Sequence, residues 1–231
     1  MCIRDSYGSE AWDKIGNVEI SLRRSVDQVV MENGKVQSVI AGGEVLTADA
    51  YVSALPFERA GAMLPQLNLD LSKFEHSPIT GIHLWFDRPI TNLPHATLLD
   101  RTIQWMYNKR DGHYVQLVVS ASRSFTQMPR GDVIALGLRE LAEFFPKVSE
   151  AKLERAEVVK EVKATFSAEP GLEAKRPSTE TRVSNLFLAG DWTKSGWPST
   201  MEGAVRSGYK AAEAVAKAAG VSKQFLLLDI A

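Results

Sequence analysis

The most informative part of this chain lies near its carboxyl end, where residues 185–193 read NLFLAGDWT and residues 199–208 read STMEGAVRSG. The apolar run 186–189 predicts a buried strand, and Gly190 directly after it lets the backbone approach a neighbour closely. Asp191 then stands at the carboxyl end of the strand, where open α/β sheets bind their ligands. Because a carboxylate only accepts hydrogen bonds, this position suits a sugar-like hydroxyl.

A helix follows the loop after this strand. Ser199 and Glu202 have the Ser-x-x-Glu spacing of a capping box, which predicts that the helix begins at Ser199. The amides of Thr200 and Met201 would then lack intrahelical partners, and such a terminus carries partial positive charge. Gly203 begins a face of small residues that can pack closely. The same pattern also occurs in helices with a purely structural role, so the residues alone leave both interpretations open.

The amino-terminal third is rich in strand signals. Asn33-Gly34 separates the β-rich runs 26–31 and 36–41 and predicts a hairpin, because both turn positions tolerate a positive φ. The other elements predicted here are the end of a helix over 7–16, a strand at 18–22, a turn at Gly42-Gly43 leading into 45–47, a strand at 50–55 and a helix over 58–64.

The middle of the chain predicts an antiparallel sheet with a helix and a further strand. The expected strands are 80–86, 96–99, 103–107, 114–120 and 158–166, and the amphipathic helix is 132–145. Aromatic side chains are concentrated in this region. They are typical of a packed sheet core, and as a set they could instead line an apolar substrate cavity; the candidates for substrate contact are Trp85, Trp105, Tyr107 and Trp197.

Composition excludes several classes of function. The formal net charge is −1, so there is no basic surplus to bind nucleic acid. A single cysteine, Cys2, and four scattered histidines exclude a disulfide framework and predict no metal site. No apolar run reaches the length of a transmembrane helix. A cytoplasmic enzyme fits these features, with peripheral contact at the inner face of the membrane as an alternative.

Residues 185–212 resemble the carboxyl-terminal flavin-binding signature of the superfamily that contains amine oxidases, phytoene desaturases and protoporphyrinogen oxidases. The resemblance implies FAD as cofactor, with Gly190 and Asp191 near the ribityl and pyrophosphate groups and Thr200, Met201 and Gly203 near the pyrimidine edge of the flavin. A second match, around Arg24–Val26 and Tyr51–Pro56, implies that the backbone of Val26 meets the adenine and that Ala54 lies near the nucleotide.

The resemblance implies an α+β or α/β fold: an incomplete Rossmann-like FAD-binding domain with an inserted antiparallel-sheet substrate domain. The implied division is 1–72 and 167–231 for the FAD-binding segments and 73–166 for the substrate domain. The family's amino-terminal GxGxxG is absent from this sequence, so we expect a missing amino-terminal part of the same polypeptide. Residues 1–6 resemble a translated adapter remnant; a disordered amino terminus is the alternative.

Two departures from the superfamily pattern disfavour amine oxidation. Thr200 stands where amine oxidases place a cage tyrosine, and a flavin-tethering cysteine has no counterpart. Motifs in 81–89, 104–108 and 118–122 instead resemble the squalene-associated FAD-dependent desaturase group, which includes hydroxysqualene dehydroxylase. The resemblance implies a polyprenoid substrate and reductive dehydroxylation. The alternatives are a phytoene-type desaturase and a non-catalytic module that has lost its cofactor. The catalytic residue is unknown; His83, Asp87 and Arg88 are candidate acids by type alone.

Overall fold

The structure is a computed structural model that describes residues 15–227. Within this range the chain forms three sheets and three α-helices. The strands are β1 (Val26–Glu32), β2 (Lys35–Ala41), β3 (Glu44–Leu46), β4 (Tyr51–Ser53), β5 (His76–Phe86), β6 (His95–Thr97), β7 (Trp105–Arg110), β8 (Tyr114–Ser120), β9 (Leu153–Phe166) and β10 (Leu186–Leu188); the helices are α1 (Phe57–Met63), α2 (Arg130–Phe144) and α3 (Met201–Ala218). The predicted mixed fold with an antiparallel sheet is confirmed.

The first sheet is the antiparallel meander β1-β2-β3, as the turn residues predict. Asn33 and Gly34 both have positive φ, +52° and +73°, which is the backbone of a type I′ turn. The strand predicted at 18–22 is wrong: this segment is irregular and its apolar side chains are exposed, because no neighbouring strand in the described structure pairs with it. Residues 1–14 and 228–231, including most of the helix predicted over 7–16, lie outside the described residues.

A strand from the first quarter of the chain and a strand from the last quarter pair in parallel. β10 pairs with β4 in register Leu186↔Tyr51 to Leu188↔Ser53. Just before β10, the Asn185 side chain accepts a hydrogen bond from the Val36 amide at 2.8 Å and donates one to the Val36 carbonyl at 2.9 Å. This clamp joins residues 149 positions apart, so the last segment returns to the first meander as the sequence predicted.

The third sheet has the strand order β6-β7-β8-β5-β9 and is entirely antiparallel. Alternate residues of a strand point to opposite faces. One face, carrying Ile82, Leu84 and Leu117, is fully buried beneath α2. A Cβ at Gly137 of α2 would lie 3.2 Å from both Ile82 and Leu117, so the missing side chain lets this helix approach the sheet closely.

A second apolar cluster surrounds the parallel strand pair. It joins residues from α1, β9 and β10 and the loop after β10, among them Phe57, Phe166, Leu188 and the fully buried Trp192. The division into segments at residues 73 and 167 stays a prediction. Among the described helices, none has both the length and the apolarity needed to cross a membrane.

Candidate functional site

A cleft of about 300 Å³ opens at the carboxyl ends of the parallel strands β4 and β10. The strand ends, the first residues of α1, the last residues of β9 and the first turn of α3 all contribute to its walls. Its lining residues are Ala54, Leu55, Pro56, Phe57, Glu58, His76, Lys163, Ala164, Thr165, Phe166, Gly190, Asp191, Trp192 and Ala204. The predicted residues Ala54, Gly190 and Asp191 therefore come together from positions more than 130 residues apart in sequence.

Gly190 permits a turn that no other residue would make without strain. Its φ is +133°, and a Cβ there would lie 2.5 Å from the indole nitrogen of Trp192. That indole donates a hydrogen bond to the Leu55 carbonyl at 2.9 Å. The wholly buried Ser207 hydroxyl accepts a hydrogen bond from the Gly190 amide at 2.8 Å. These contacts fix the strand end against α3 and place the Asp191 side chain at the cleft.

The N-cap of helix α3 lies one residue later than the capping box predicted. Thr200 is the N-cap, and its hydroxyl accepts the Gly203 amide at 3.1 Å. The Ser199 hydroxyl instead donates to the Asp191 carboxylate and pairs with Thr165. The prediction of a helix start at Ser199 is therefore wrong: a tertiary hydrogen bond to a carboxylate takes the side chain that a local cap would have used.

The first turn of α3 reaches the cleft through Ala204, whereas the predicted residues Thr200, Met201 and Gly203 are not among the lining residues. The first intrahelical bond runs from the Ala204 amide to the Thr200 carbonyl at 3.0 Å, so the amides of Met201 and Glu202 precede the helical ladder. Gly203 is buried at this turn, and a Cβ there would lie 2.3 Å from the Pro198 carbonyl oxygen. The absence of that atom lets the loop fold tightly onto the helix start.

Arg176 organises the loop between Asp191 and α3, and no sequence motif indicated it. Its buried guanidinium donates to the carbonyls of Asp191 at 2.6 Å and Trp197 at 2.8 Å, and to the Ser195 hydroxyl at 3.1 Å. Glu173 balances its charge at 2.7 Å. Because two carbonyls of one loop converge on one cation, this side chain fixes the approach of Asp191 to the helix.

Two buried polar atoms at the cleft have no hydrogen-bond partner among the described residues. They are Glu58 Oε2 and His76 Nδ1. Glu58 and His76 also face each other, with Oε1 and Nε2 3.7 Å apart. A buried polar group without a partner is costly, so these atoms indicate that a polar ligand or a further polar group belongs in the cleft.

Two of the remaining predicted site residues lie elsewhere. Val26 begins β1, in the meander sheet, and is partly exposed. Trp197 lies in the loop before α3, where the Arg206 guanidinium stacks over its ring at 4.8 Å. Neither lines the cleft.

The other predicted aromatic residues share one face of the five-stranded sheet, the face opposite α2, which we call the open face. Its cross-strand pairs include Trp85↔Tyr114, Tyr107↔Gln116 and Trp105↔Val118. Trp85 and Tyr114 stack with ring centroids 4.5 Å apart. These side chains are half-buried or exposed, so they form an aromatic wall and not a closed core. Two cations lie against it, Arg155 over the Trp85 ring at 4.7 Å and Lys109 over the Tyr107 ring at 5.5 Å.

The open face also carries two polar pairs, the Arg155–Glu157 ion pair on β9 and the pair formed by His83 and Tyr114. His83 Nδ1 and the Tyr114 hydroxyl are 2.7 Å apart. Burial lowers the pKa of His83, with the nearby Glu157 carboxylate opposing the shift, and burial likewise raises the pKa of Tyr114. At neutral pH the imidazole is therefore neutral and the phenol keeps its proton.

The other two candidate acids do not face this wall. The Asp87 carboxylate and Arg88 pair with each other at 3.0 Å at the far end of β5, and Asp87 also accepts the Lys152 amide at 2.8 Å. These bonds lower the pKa of Asp87, Arg88 being the larger cause. Across residues 15–227, no three His, Cys, Asp or Glu side chains are grouped closely enough to hold a metal ion.

Comparison with known proteins defines the class. The fold is similar to those of an oxidoreductase from Methanosarcina mazei, with TM-score 0.64, 17% identity and coverage of 86% of this chain and 50% of that one, and of glycine oxidase from Bacillus cereus, with TM-score 0.55, 16% identity and coverage of 93% and 56%. Residues 9–216 match the family described as flavin containing amine oxidoreductase. The chain belongs to this family.

Two curated relatives illustrate its range. A 15-cis-phytoene desaturase from an Oncidium hybrid cultivar is 29% identical over 225 residues, which are 87% of this chain and 37% of that protein. A hydroxysqualene dehydroxylase from Sinorhizobium fredii is 34% identical over 167 residues, which are 71% of this chain and 38% of that protein. The chain therefore spans less than two-fifths of the length of either relative.

Family membership supports FAD as the cofactor, and the cleft fits part of that molecule. The Asp191 carboxylate in the lining is suited to a polyol chain, and the amides at the start of α3 are suited to the electron-rich edge of a flavin.

Proposed function

We propose that this chain forms part of an FAD-dependent oxidoreductase that acts on a polyprenoid, and that its reaction is the reductive dehydroxylation of hydroxysqualene to squalene. The observation that carries the proposal is the cleft at the ends of β4 and β10, which joins Asp191 and the first turn of α3. Val26 and Ala54 on the adenine side, and Gly190, Asp191, Thr200, Met201 and Gly203 on the flavin side, are the residues proposed to hold the cofactor.

The open face of the five-stranded sheet is the proposed wall of the substrate site. Trp85, Trp105 and Tyr107 offer the apolar surface that a long hydrocarbon chain requires. Trp197, beside the start of α3, is proposed to contact the substrate at the other end of the site. The polar His83–Tyr114 pair lies among these aromatic side chains, which favours a substrate that carries an oxygen over a pure hydrocarbon.

The chain's own residues would orient the substrate, exclude water from it and supply a proton donor. Reduced FAD, when bound, supplies the hydride that replaces the allylic hydroxyl. The aromatic wall would exclude water from the reacting carbon. The departing hydroxyl takes up one proton and leaves as water. The Tyr114 phenol, which keeps its proton at neutral pH and lies beside neutral His83, could donate that proton from this wall.

A phytoene-type desaturase is the second candidate, and it is favoured by the 29% identity to the Oncidium enzyme over most of this chain. The reaction would then remove hydrogen from the polyprene, and the His83–Tyr114 pair on the open face would have no substrate oxygen to meet. Either substrate partitions into lipid, so we also propose peripheral contact with a membrane surface, which co-sedimentation with phospholipid vesicles tests.

Product analysis separates the two candidates. The chain, expressed with any coding sequence that adjoins it, would be loaded with FAD and incubated with hydroxysqualene under reducing conditions or with phytoene under oxidising conditions. The proposal expects squalene from hydroxysqualene and no product from phytoene. Desaturation of phytoene without formation of squalene would reject the dehydroxylase. Failure to retain flavin in any preparation would reject both enzymes in favour of a non-catalytic module.

A further inference from the structure

We infer that Glu58 and His76 form a second polar group in the cleft that Asp191 lines, and that this group binds the hydroxyls of a polyol chain. Neither residue belongs to a sequence motif that indicated a site. The inference rests on the proposed function, because within that function the polyol is the ribityl chain of the flavin.

The first support is the geometry of the two side chains. Both line the same cleft as Asp191 and Gly190. The Glu58 carboxylate has one oxygen 3.7 Å from His76 Nε2, while its other oxygen and His76 Nδ1 are buried without partners among the described residues. The Phe57 ring packs against the imidazole at 4.8 Å and holds it in place. One buried acceptor and one buried ring nitrogen are thus left for a ligand.

The second support is charge. The carboxylates of Asp191 and Glu58 contribute to one small cleft, and Lys163, an exposed side chain, is the cation among its lining residues. Two carboxylates that line one cleft disfavour a phosphate there, because like charges repel. A hydroxyl both donates and accepts, so it can donate to Glu58 Oε2 or Asp191 and also satisfy a ring nitrogen. The donor set therefore selects a neutral polyol and disfavours a phosphate.

The test compares two flavins that differ in the polyol. Riboflavin has the ring and the ribityl chain without phosphate, and lumiflavin has the ring alone. The chain is expressed with any coding sequence that adjoins it, and its affinities for both flavins are measured by quenching of flavin fluorescence. Glu58→Met keeps the length of the side chain and removes its acceptors, and His76→Phe keeps the aromatic packing and removes the nitrogens. Glu75→Met, at an exposed neighbouring position, removes the same charge outside the cleft and is the control.

The inference expects Glu58→Met and His76→Phe each to weaken riboflavin binding by about five- to tenfold, the effect of one hydrogen bond, with lumiflavin affinity and the Glu75→Met control unchanged. Equal weakening of both flavins, or no change for riboflavin, would overturn the inference and leave the FAD proposal standing. If the unmodified protein, expressed with the adjoining coding sequence, bound neither flavin, the proposed function would fail first and this inference with it.

Discussion

Replacing Gly203 by alanine tests how closely the loop packs onto the start of α3. Real Cβ atoms essentially never approach a heavy atom within 3.0 Å, and a Cβ here would lie 2.3 Å from the Pro198 carbonyl oxygen. The backbone must therefore move by at least 0.7 Å at a buried position. Such overpacking costs about 1–3 kcal/mol, which for a chain of this length lowers the melting temperature by roughly 2–12 °C.

Gly208 of the same helix provides the matched control, because an added Cβ there would meet nothing within 4 Å. Gly208→Ala should stabilise the chain by about 0.5–1 kcal/mol, since glycine is entropically unfavourable in a helix. Calorimetry should therefore show shifts of opposite sign for the two variants. Melting temperatures that move in the same direction would refute the tight contact. The displaced loop carries Ser199, so the Gly203→Ala variant should also bind FAD more weakly than the Gly208→Ala variant.

Three further predictions concern contacts around the cleft. Ser207→Ala should cost about 1–3 kcal/mol in denaturant unfolding, because it leaves the buried amide of Gly190 unpaired; an unchanged midpoint would contradict this. Trp192→Phe should cost about 1–3 kcal/mol by thermal unfolding, because the Leu55 carbonyl loses its donor, and a neutral effect would argue against that bond. The pKa of Glu213 is lowered by hydrogen bonds from two backbone amides of the carboxyl-terminal tail, those of Leu226 and Phe225, of which the first is the larger cause. The tail should therefore be fully docked above the ordinary glutamate pKa and released as the pH falls through the lowered pKa. Hydrogen exchange of these two amides that does not vary with pH would disprove this prediction.

Local signals predicted the local parts of the fold. The Asn33-Gly34 turn fixes its own backbone, because both residues tolerate the positive φ that the hairpin requires, and the strands on either side follow from it. The alternation of apolar residues along β5 similarly separates the buried face from the open face. In both cases the information lies within a few residues of the element that it determines.

Several features of the site depend on long-range contacts, which local sequence patterns could not predict. Ser199 has the spacing of a cap, but the Asp191 carboxylate is the stronger partner and draws its hydroxyl away from the helix. Arg176 donates to carbonyls scattered within a loop, such as that of Asp191. Asn185 bonds to the backbone of Val36, which is far away in the sequence. Glu58 lies in a short helix with no motif around it, and only the folded chain shows that it shares a cleft with Asp191.

The most direct test of the account is the structure of the protein with FAD bound. We expect the ribityl chain at Asp191 and the Glu58–His76 group, with the pyrimidine edge of the flavin at the amides of Met201 and Glu202. A flavin located away from the carboxyl ends of β4 and β10, with the cleft filled by protein side chains, would contradict the assignment of the site.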